Sequence, residues 1–423
     1  GAAAFILDEA HQIPELAGQF FSQSISARQL SELAQDALAE CGGITGAIGL
    51  LLEPLEALQD ALRRLRLAMD ALPSRGAFQQ LEDSRDVPAA MHDLRELLAT
   101  LVELLASQAE RSRGFANLHE RAALLAERLE RIVDAADAGH GDRDVRWYEH
   151  YPRGFALYAT PLDLAVPMRG LRERTQAAWI HTSATLSVAG NFEHFARQLG
   201  LDDPRTLSLE SPFDYARQAL CYLPSPLPDP AARDYTAQVI EAVLPVLHAS
   251  GGRAFLLFTS HRALRLAAEL LQDKVPWPLF VQGTAPRPRL LEEFRASGHG
   301  VLLGAASFWE GVDVVGEALS VVVIDKLPFA APDDPVLMAR LEALQQSGIN
   351  PFMGWQVPGA AIALKQGAGR LIRSVHDRGV LVLCDPRLTG KGYGKLFLAS
   401  LPPMPRTREL AHVQAFFHDA PAT

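Results

Sequence analysis

The sequence predicts an α/β protein: parallel sheets flanked by helices, with a large all-helical insertion near its start. Three observations predict it. From residue 253 onward short apolar runs alternate with helical segments. Residues 1–7 are apolar at every position and lead into Asp8. Between them, from Gln12 to about Arg146, Leu, Ala, Glu, Arg and Gln dominate and aromatics are few. Buried parallel strands read as continuous apolar runs because both faces are covered. Strand–helix alternation with such runs implies a parallel sheet clothed by helices on both sides.

Taken in order, residues 1–7 read as a short buried strand, and a chain that opens inside such a strand is expected to come from something longer. Stretches 94–105 and 118–132 carry apolar residues at three- and four-residue spacing, the signature of a helix burying one face. Breaks fall near 41–49, 73–76 and 139–142, where Gly and Pro cluster. Strand texture returns at 155–160 and 177–182, and a helix is expected at 192–199. The proline-rich stretch 223–230 reads as a connection near a domain boundary. After it come candidate strands at 253–258, 279–282, 301–304, 320–324 and 379–384. Helices are expected between them at 261–271, 288–296, 335–346 and 358–374.

At 423 residues, with 48% hydrophobic and 21% charged residues, the chain has room for two or three domains with their own cores. No apolar run is long enough to span a membrane and no signal-peptide pattern opens the chain, so a cytoplasmic protein is expected. The three cysteines, Cys41, Cys221 and Cys384, lie far apart and form no CxxC pair. They argue against a disulfide framework, and three thiols alone cannot complete a four-cysteine metal or iron–sulfur site. The net charge of -10 is unevenly spread: residues 12–150 hold 23 acidic and 14 basic residues, whereas 151–423 hold 25 and 26. Nine basic residues against two acidic ones fall within 359–408. Binding to phosphate is a local matter under screening, so the overall anionic charge does not exclude a nucleic-acid partner.

Asp8-Glu9-Ala10-His11 directly follows the first strand. Ligands of open parallel sheets bind at the carboxyl ends of strands. Hydrolysis of a phosphoanhydride needs Mg²⁺ on the phosphates and a group that orients the attacking water, tasks that adjacent carboxylates can divide, Asp8 on the metal and Glu9 on the water. The alternative is that Asp8 caps the next helix and Glu9 is merely solvated. Further on, Gln366-Gly367-Ala368-Gly369-Arg370-Leu371-Ile372-Arg373 is expected inside a helix, with Gln366, Arg370 and Arg373 on one narrow face. Each interior helical glycine costs roughly 1 kcal/mol against Ala, so Gly367 and Gly369 are expected to serve close packing or ligand approach. Paired arginines suit the spread charge of a transferring phosphoryl group; the alternative is an ordinary basic helix surface.

The loop 304–313 contains Ser307, Trp309, Gly311 and Asp313, suited to nucleotide or backbone contacts after a parallel strand. Trp309 either stacks on a base or, as is commoner for a loop Trp, is packed. Ser183 and Thr185 follow a strand as part of a hydroxyl cluster that can also serve as an N-cap. Thr259 and Ser260, after the strand near 253–258, either hold a phosphate at the following helix N-terminus or form a plain turn.

The order of these motifs resembles helicase motifs II to VI of superfamily 2. The strings SPFDY (211–215), SFWEGVD (307–313), DKLPF (325–329), QGAGRLIRS (366–374) and FLASLPP (397–403) resemble bacterial helicases of the DinG/YoaA type, on the XPD-like branch. The resemblance covers 7–11 and about 179–403. It implies two RecA-like motor domains, ATP with Mg²⁺, and 5′-to-3′ movement on single-stranded DNA. It implies that 1–11 with 151–210 form a first, incomplete motor domain, its strands near 4–7, 155–160 and 177–182. Residues 216–423 would form a complete second motor domain, and 12–150 an arch-like insertion. By the same resemblance Asp8 and Glu9 hold the metal and water, and His11 couples nucleotide state to the second domain. Ser183 and Thr185 belong to the coupling motif. Asp313, with Gly311, reaches the nucleotide; Thr259, Ser260, Ser307 and Trp309 meet DNA; Gln366, Arg370 and Arg373 act across the cleft.

Two features of the family are absent from the sequence. There is no GxxxxGK(S/T) phosphate loop, and none of the five lysines follows a suitable glycine-rich segment. Nor are there the four cysteines that in this family usually hold a four-iron–four-sulfur cluster upstream of the DEAH box. Two other readings remain: a non-catalytic nucleic-acid- or partner-binding module, and part of an RNA helicase, against which the SFWEGVD and DKLPF strings argue.

Overall fold

The computed structural model describes residues 2–134, 144–175, 177–305, 308–309 and 318–418. Strand β1 (Ala4–Leu7) leads through a short turn into a helix at Ile13–Phe21. Then follow β2 (Gln23–Ser26), long helices at Ala27–Cys41 and Ala47–Ala68, and β3 (Arg75–Ala77). Two more long helices, Val87–Gln108 and Arg113–Val133, precede β4 (Asp144–Tyr151) and β5 (Gly154–Pro161). The chain then forms β6 (Ala178–His181), a helix at Glu193–Leu199, and β7 (Ala219–Tyr222). The later half adds β8 (Ala254–Leu257), β9 (Leu279–Val281), β10 (Val301–Gly304), β11 (Val321–Ile324), β12 (Gly379–Leu383) and the two-residue β13 (Arg406–Thr407).

These strands make three sheets. The largest is parallel, in the order β13-β7-β12-β11-β8-β10-β9. Its strands β7, β8, β10, β11 and β12 are buried at every residue, which is why their sequences carry no polar alternation. Two apolar layers sandwich the sheet: Phe255, Leu302, Val322 and Leu381 face one side, and Leu256, Val301, Val323 and Val382 the other. The five strands anticipated from the sequence are here as β8, β9, β10, β11 and β12. The sequence reading did not anticipate β7, nor the helix Tyr235–Ser250 that follows the 223–230 connection.

The segment after Phe21 is helical over most of its length but not all of it. Its four long helices bury Leu51, Leu55, Leu58 and Leu62 from one, and Leu94, Leu98, Leu101 and Leu105 from the next, in one core. Ser26 starts the first of them with a capping box: its hydroxyl accepts from the Gln29 N–H, and the Gln29 side chain accepts from the Ser26 N–H. Beneath the helices lies an antiparallel sheet in the order β2-β5-β4-β3. This corrects the all-helical expectation. It also moves the strand expected at 155–160 out of the first motor sheet: β5 pairs with β2 and β4 and contributes Phe155, Leu157 and Ala159 to the helical core. An apolar run announces a buried strand but not the sheet it joins.

The third sheet pairs only β1 with β6, in parallel. Here the expectation of a buried strand is also corrected. Ile6 is 70% exposed and Ile180 44%, while Phe5, Leu7, Trp179 and His181 are half-buried. His181 packs its ring edge-on against Phe195 on one face of the pair, and among the described residues Ile6 and Ile180 on the other face stay exposed. None of the described helices is long and apolar enough to cross a membrane.

Candidate functional site

The loops leaving β1 and β6 are bound to each other. Thr182 donates its N–H to Leu7 O, and Ala10 donates to Thr182 O, each at 2.9 Å. Asp8 sits at this edge, where its Oδ1 accepts from the Thr182 hydroxyl at 2.8 Å. That bond and the Glu9 backbone hold the Asp8 carboxyl below the usual carboxylate range. Glu9 takes a left-handed backbone, φ 49°, which is costly for a residue with a Cβ and recurs where side chains are aimed for function. Neither carboxylate caps the short helical turn Ala10–Gln12 or the helix after it, so the capping alternative is out.

From Glu9 a polar chain runs across to the later half of the molecule. Ser183 Oγ donates to Glu9 Oε2 at 3.3 Å, and His11 Nδ1 lies 2.9 Å from the same hydroxyl. Ser183 Oγ lies 3.3 Å from Thr185 Oγ1 and accepts the Thr185 N–H. Gln366 Nε2 then donates to Thr185 Oγ1 at 3.5 Å. The geometry thus links Glu9, His11, Ser183, Thr185 and Gln366, five residues singled out from sequence alone. His11 Nε2 is buried without a hydrogen-bond partner among the described residues.

Gln366 lies near the end of the helix Val357–Ala368, which stops short of the arginines. The expected helix through 374, with Gln366, Arg370 and Arg373 on one face, is therefore corrected. Asp377 causes the change: its Oδ2 accepts the N–H groups of Arg373 (2.6 Å) and Ser374 (2.8 Å), removing them from any helical ladder. Gly367 serves close packing, since a Cβ there would lie 3.0 Å from the Trp309 ring and 3.1 Å from Ile324. Arg370 donates to Trp309 O through Nη2 (2.8 Å) and Nε (3.2 Å), and Arg373 is exposed. Glu9, His11, Gln366, Arg370 and Arg373 together line one cleft of about 930 Å³, whose far wall is the strap from Ser208 to Tyr215. Asp8 is not in that lining.

The remaining candidates are placed elsewhere or not described. Trp309 is 6% exposed and donates its indole N–H to Phe258 O. It is a packed residue with no face open to a base, which corrects its assignment to DNA. Ser260 caps the helix His261–Gln272 by accepting from Ala263 N, and the Thr259 N–H goes to Asp325 Oδ1 at 3.1 Å. Both Thr259 and Ser260 remain exposed at the carboxyl end of β8. Ser307, Gly311 and Asp313 lie outside the described residues.

Sequence reasoning passed over Asp325, Asp377 and Lys365. Asp325 is 2% exposed at the carboxyl end of β11, and burial pushes its carboxyl up to about 7 against the N–H groups of Lys326 and Thr259 that favour the charge. In the sequence it follows a Val-Val-Val-Ile strand and opens the DKLPF string, which carries the resemblance but assigns this acid no role. The three cysteines are buried in three separate cores, and among the described residues no three His, Cys, Asp or Glu side chains are grouped to hold a metal. An iron–sulfur cluster therefore does not fit the residues present. Magnesium with a nucleotide does, because Mg²⁺ is commonly held by one or two carboxylates, with phosphate oxygens and water completing its shell.

Residues 243–404 match the family model described as "Helicase C-terminal domain". The ATP-dependent DNA helicase YoaA of Escherichia coli is 40% identical over 422 residues, covering 98% of this chain and 65% of its own length. YoaA of Haemophilus influenzae is 39% identical, with 99% of this chain and 65% of its own length covered. The ATP-dependent helicase DinG of Mycobacterium tuberculosis is 38% identical over 64% of this chain and 42% of its own. Among solved structures, an XPD helicase superposes with a TM-score of 0.59 at 14% identity, over 96% of this chain and 68% of that one. An apo XPD structure gives 0.56, also at 14% identity, over 96% and 76%. The chain thus spans just under two thirds of the YoaA relatives, and the XPD likeness is one of fold.

Proposed function

The chain belongs to the YoaA and DinG helicase family, and from that premise we propose that it carries the DEAH-box, arginine-finger and DNA-handling part of an ATP-dependent 5′-to-3′ DNA helicase. The observation that carries the reading is the shared cleft, in which Glu9 from the first unit and Arg370 and Arg373 from the second line one space. Asp8 and Glu9 would hold Mg²⁺, which when bound neutralises charge on the phosphates. Glu9, fixed by Ser183, orients the attacking water and takes up its proton. Arg373, exposed beside the cleft, and Arg370, steadied by Trp309 O, meet charge spreading over the transferring phosphoryl oxygens. The Ser183–Thr185–Gln366 bridge lets the second unit feel what occupies the first. Single-stranded DNA is the proposed track, with Thr259 and Ser260 at the carboxyl edge of the large sheet as contacts.

The test is ATP turnover and strand displacement by the whole protein. Arg373→Ala is expected to lower kcat by roughly 10³–10⁵ while leaving ATP binding largely intact, because the contact forms chiefly in the transition state. Glu9→Gln should give a similar turnover defect through loss of the oriented water. Duplexes with a 5′ tail should be opened and those with a 3′ tail left intact. Equal turnover in wild type and Arg373→Ala would remove the finger assignment, and displacement of RNA in preference to DNA would favour the RNA-helicase reading. The 423 residues contain no GxxxxGK(S/T) loop, so low turnover by the chain alone is expected, and a purely binding role for it stays open to the same assay.

A further inference from the structure

The chain uses arginine for 35 of its 40 basic residues, so each of its five lysines is an exception. Four have plain roles. Lys274 pairs with Glu241, Lys326 reaches Pro230 O beneath the Tyr235 ring, and Lys391 and Lys395 are exposed. Lys365 is different. It lies in the helix Val357–Ala368 one residue before Gln366, is half-buried, and lines two cavities at once. One is the 930 Å³ cleft of Glu9, Arg370 and Arg373; the other, of about 840 Å³, is walled by the end of β6 and the strap 201–209. Among the described residues no carboxylate pairs with its ammonium group.

An ammonium half out of water and without a counter-ion is costly, and a lysine suffers more than an arginine because its charge is compact and strongly hydrated. Burial alone drives the Lys365 amine below its usual range, with no acidic neighbour opposing it. The surroundings favour an anion. The cleft has Glu9 against Arg370 and Arg373, and the second cavity has Asp202 against Arg172 and Arg205, with the Ser183 hydroxyl nearby. A surface lysine would be solvated and a structural one paired. This one is held where an oxyanion would satisfy it.

We propose that Lys365 is a direct contact for a phosphate oxyanion in the space between the two motor units. The inference rests on the helicase reading above, under which that phosphate comes either from the nucleotide or from the DNA backbone. A phosphate ester supplies the charge and acceptor geometry that a lone ammonium needs.

The scarcity of lysine makes the test direct. The chain is labelled with an amine-acylating reagent, alone, with MgATP, or with oligothymidylate, and modification of the five lysines is read by peptide mass. Calorimetry on the same samples measures binding itself. Selective protection of Lys365 by MgATP assigns the nucleotide phosphate; selective protection by oligothymidylate assigns the backbone phosphate. Lys365→Met, which keeps the length of the side chain, should weaken the protecting ligand on the order of tenfold to a hundredfold, and Lys365→Arg should retain most of the affinity. Thermal unfolding of both variants shows whether the fold is kept. Binding by calorimetry without protection of Lys365, or unchanged affinity in a folded Lys365→Met, overturns this proposal while leaving the helicase reading standing. Binding of neither ligand overturns both.

Discussion

Gly367 and Gly359 lie in the same helix yet answer to different constraints. A Cβ at Gly359 would meet nothing within 4 Å, whereas one at Gly367 would press on Trp309 and Ile324. Gly359→Ala is therefore expected to be neutral or to stabilise by up to about 1 kcal/mol through helix propensity. Gly367→Ala should destabilise by about 1–3 kcal/mol through overpacking. Urea unfolding of both reads the contrast, and equal effects would mean that the Trp309 contact does not constrain the helix. The sequence predicted either close packing or ligand approach for Gly367, because glycine inside a helix needs a reason, and the contact with Trp309 and Ile324 decides for packing. It could not name Trp309 as the partner, since that contact joins positions far apart in the chain. Asp325 was illegible for a similar reason: an acid at a strand end is usually solvated, and only the assembled sheet shows it 2% exposed. Its folded carboxyl titrates near 7 against 3.8 as the ordinary value. The folded state then binds more protons than the unfolded state between those limits, and stability falls as pH rises through that window. Asp325→Asn removes this titration. Melting temperatures of wild type and variant, compared at pH 5 and pH 8, should show the smaller decline in the variant; equal declines would place the pH dependence elsewhere.

Elements were legible where local pattern and final neighbours agree, and illegible where long-range partners decide. The five strands read from the later half are all present because each is an apolar run, and four of them, β8, β10, β11 and β12, are buried on both faces, while the edge strand β9 is half-buried. β5 has the same texture but joins another sheet, pairing with β2 across more than a hundred residues of chain. The helix at Val357–Ala368 ends early because Asp377 takes the N–H groups of Arg373 and Ser374, a competition that no helix periodicity encodes. Where the insertion meets the second unit, the helix Pro335–Gln346 packs against β3 and β4, and one acid there has two tasks. Asp334 Oδ1 caps the helix Pro335–Gln346 by accepting from Leu337 N, and its Oδ2 meets Arg75 Nη2 at 2.9 Å, with Arg75 stacked on Trp147. Asn can cap as well as Asp but cannot form the ion pair. Asp334→Asn is expected to cost less than about 1 kcal/mol, since the pair is partly exposed. Asp334→Ala should cost about 1 kcal/mol more, the cap being lost too. Denaturant midpoints of the two variants give the difference; indistinguishable midpoints would show that the cap contributes nothing.

At the scale of the whole molecule, charge and cores divide along the same lines. Residues 12–150 carry nine more acidic than basic residues, and the later half is nearly balanced with a basic excess in 359–408. The long helices with β2 and β5 share a core of their own, and β2 pairs with β5 so that the two ends of the segment, Gln23 and Ala159, are neighbours. A segment of about 22–161 is thus closed on itself and is expected to fold alone. Its acidic surface would repel a DNA backbone, so any contact is expected to be confined to local basic spots. Single-strand binding releases counterions, with log K falling against log salt at roughly -0.7 per phosphate neutralised. The isolated segment is therefore expected to bind oligothymidylate weakly and with strong salt sensitivity, or not at all, while the whole chain binds it through the second motor unit. Fluorescence anisotropy across a salt series measures both. Circular dichroism first establishes that the segment is helical, so that weak binding cannot be put down to unfolding. Tight binding by the folded segment that persists at high salt would mean that the insertion grips DNA by stacking rather than by charge, and the division of labour drawn from the charge distribution would be wrong.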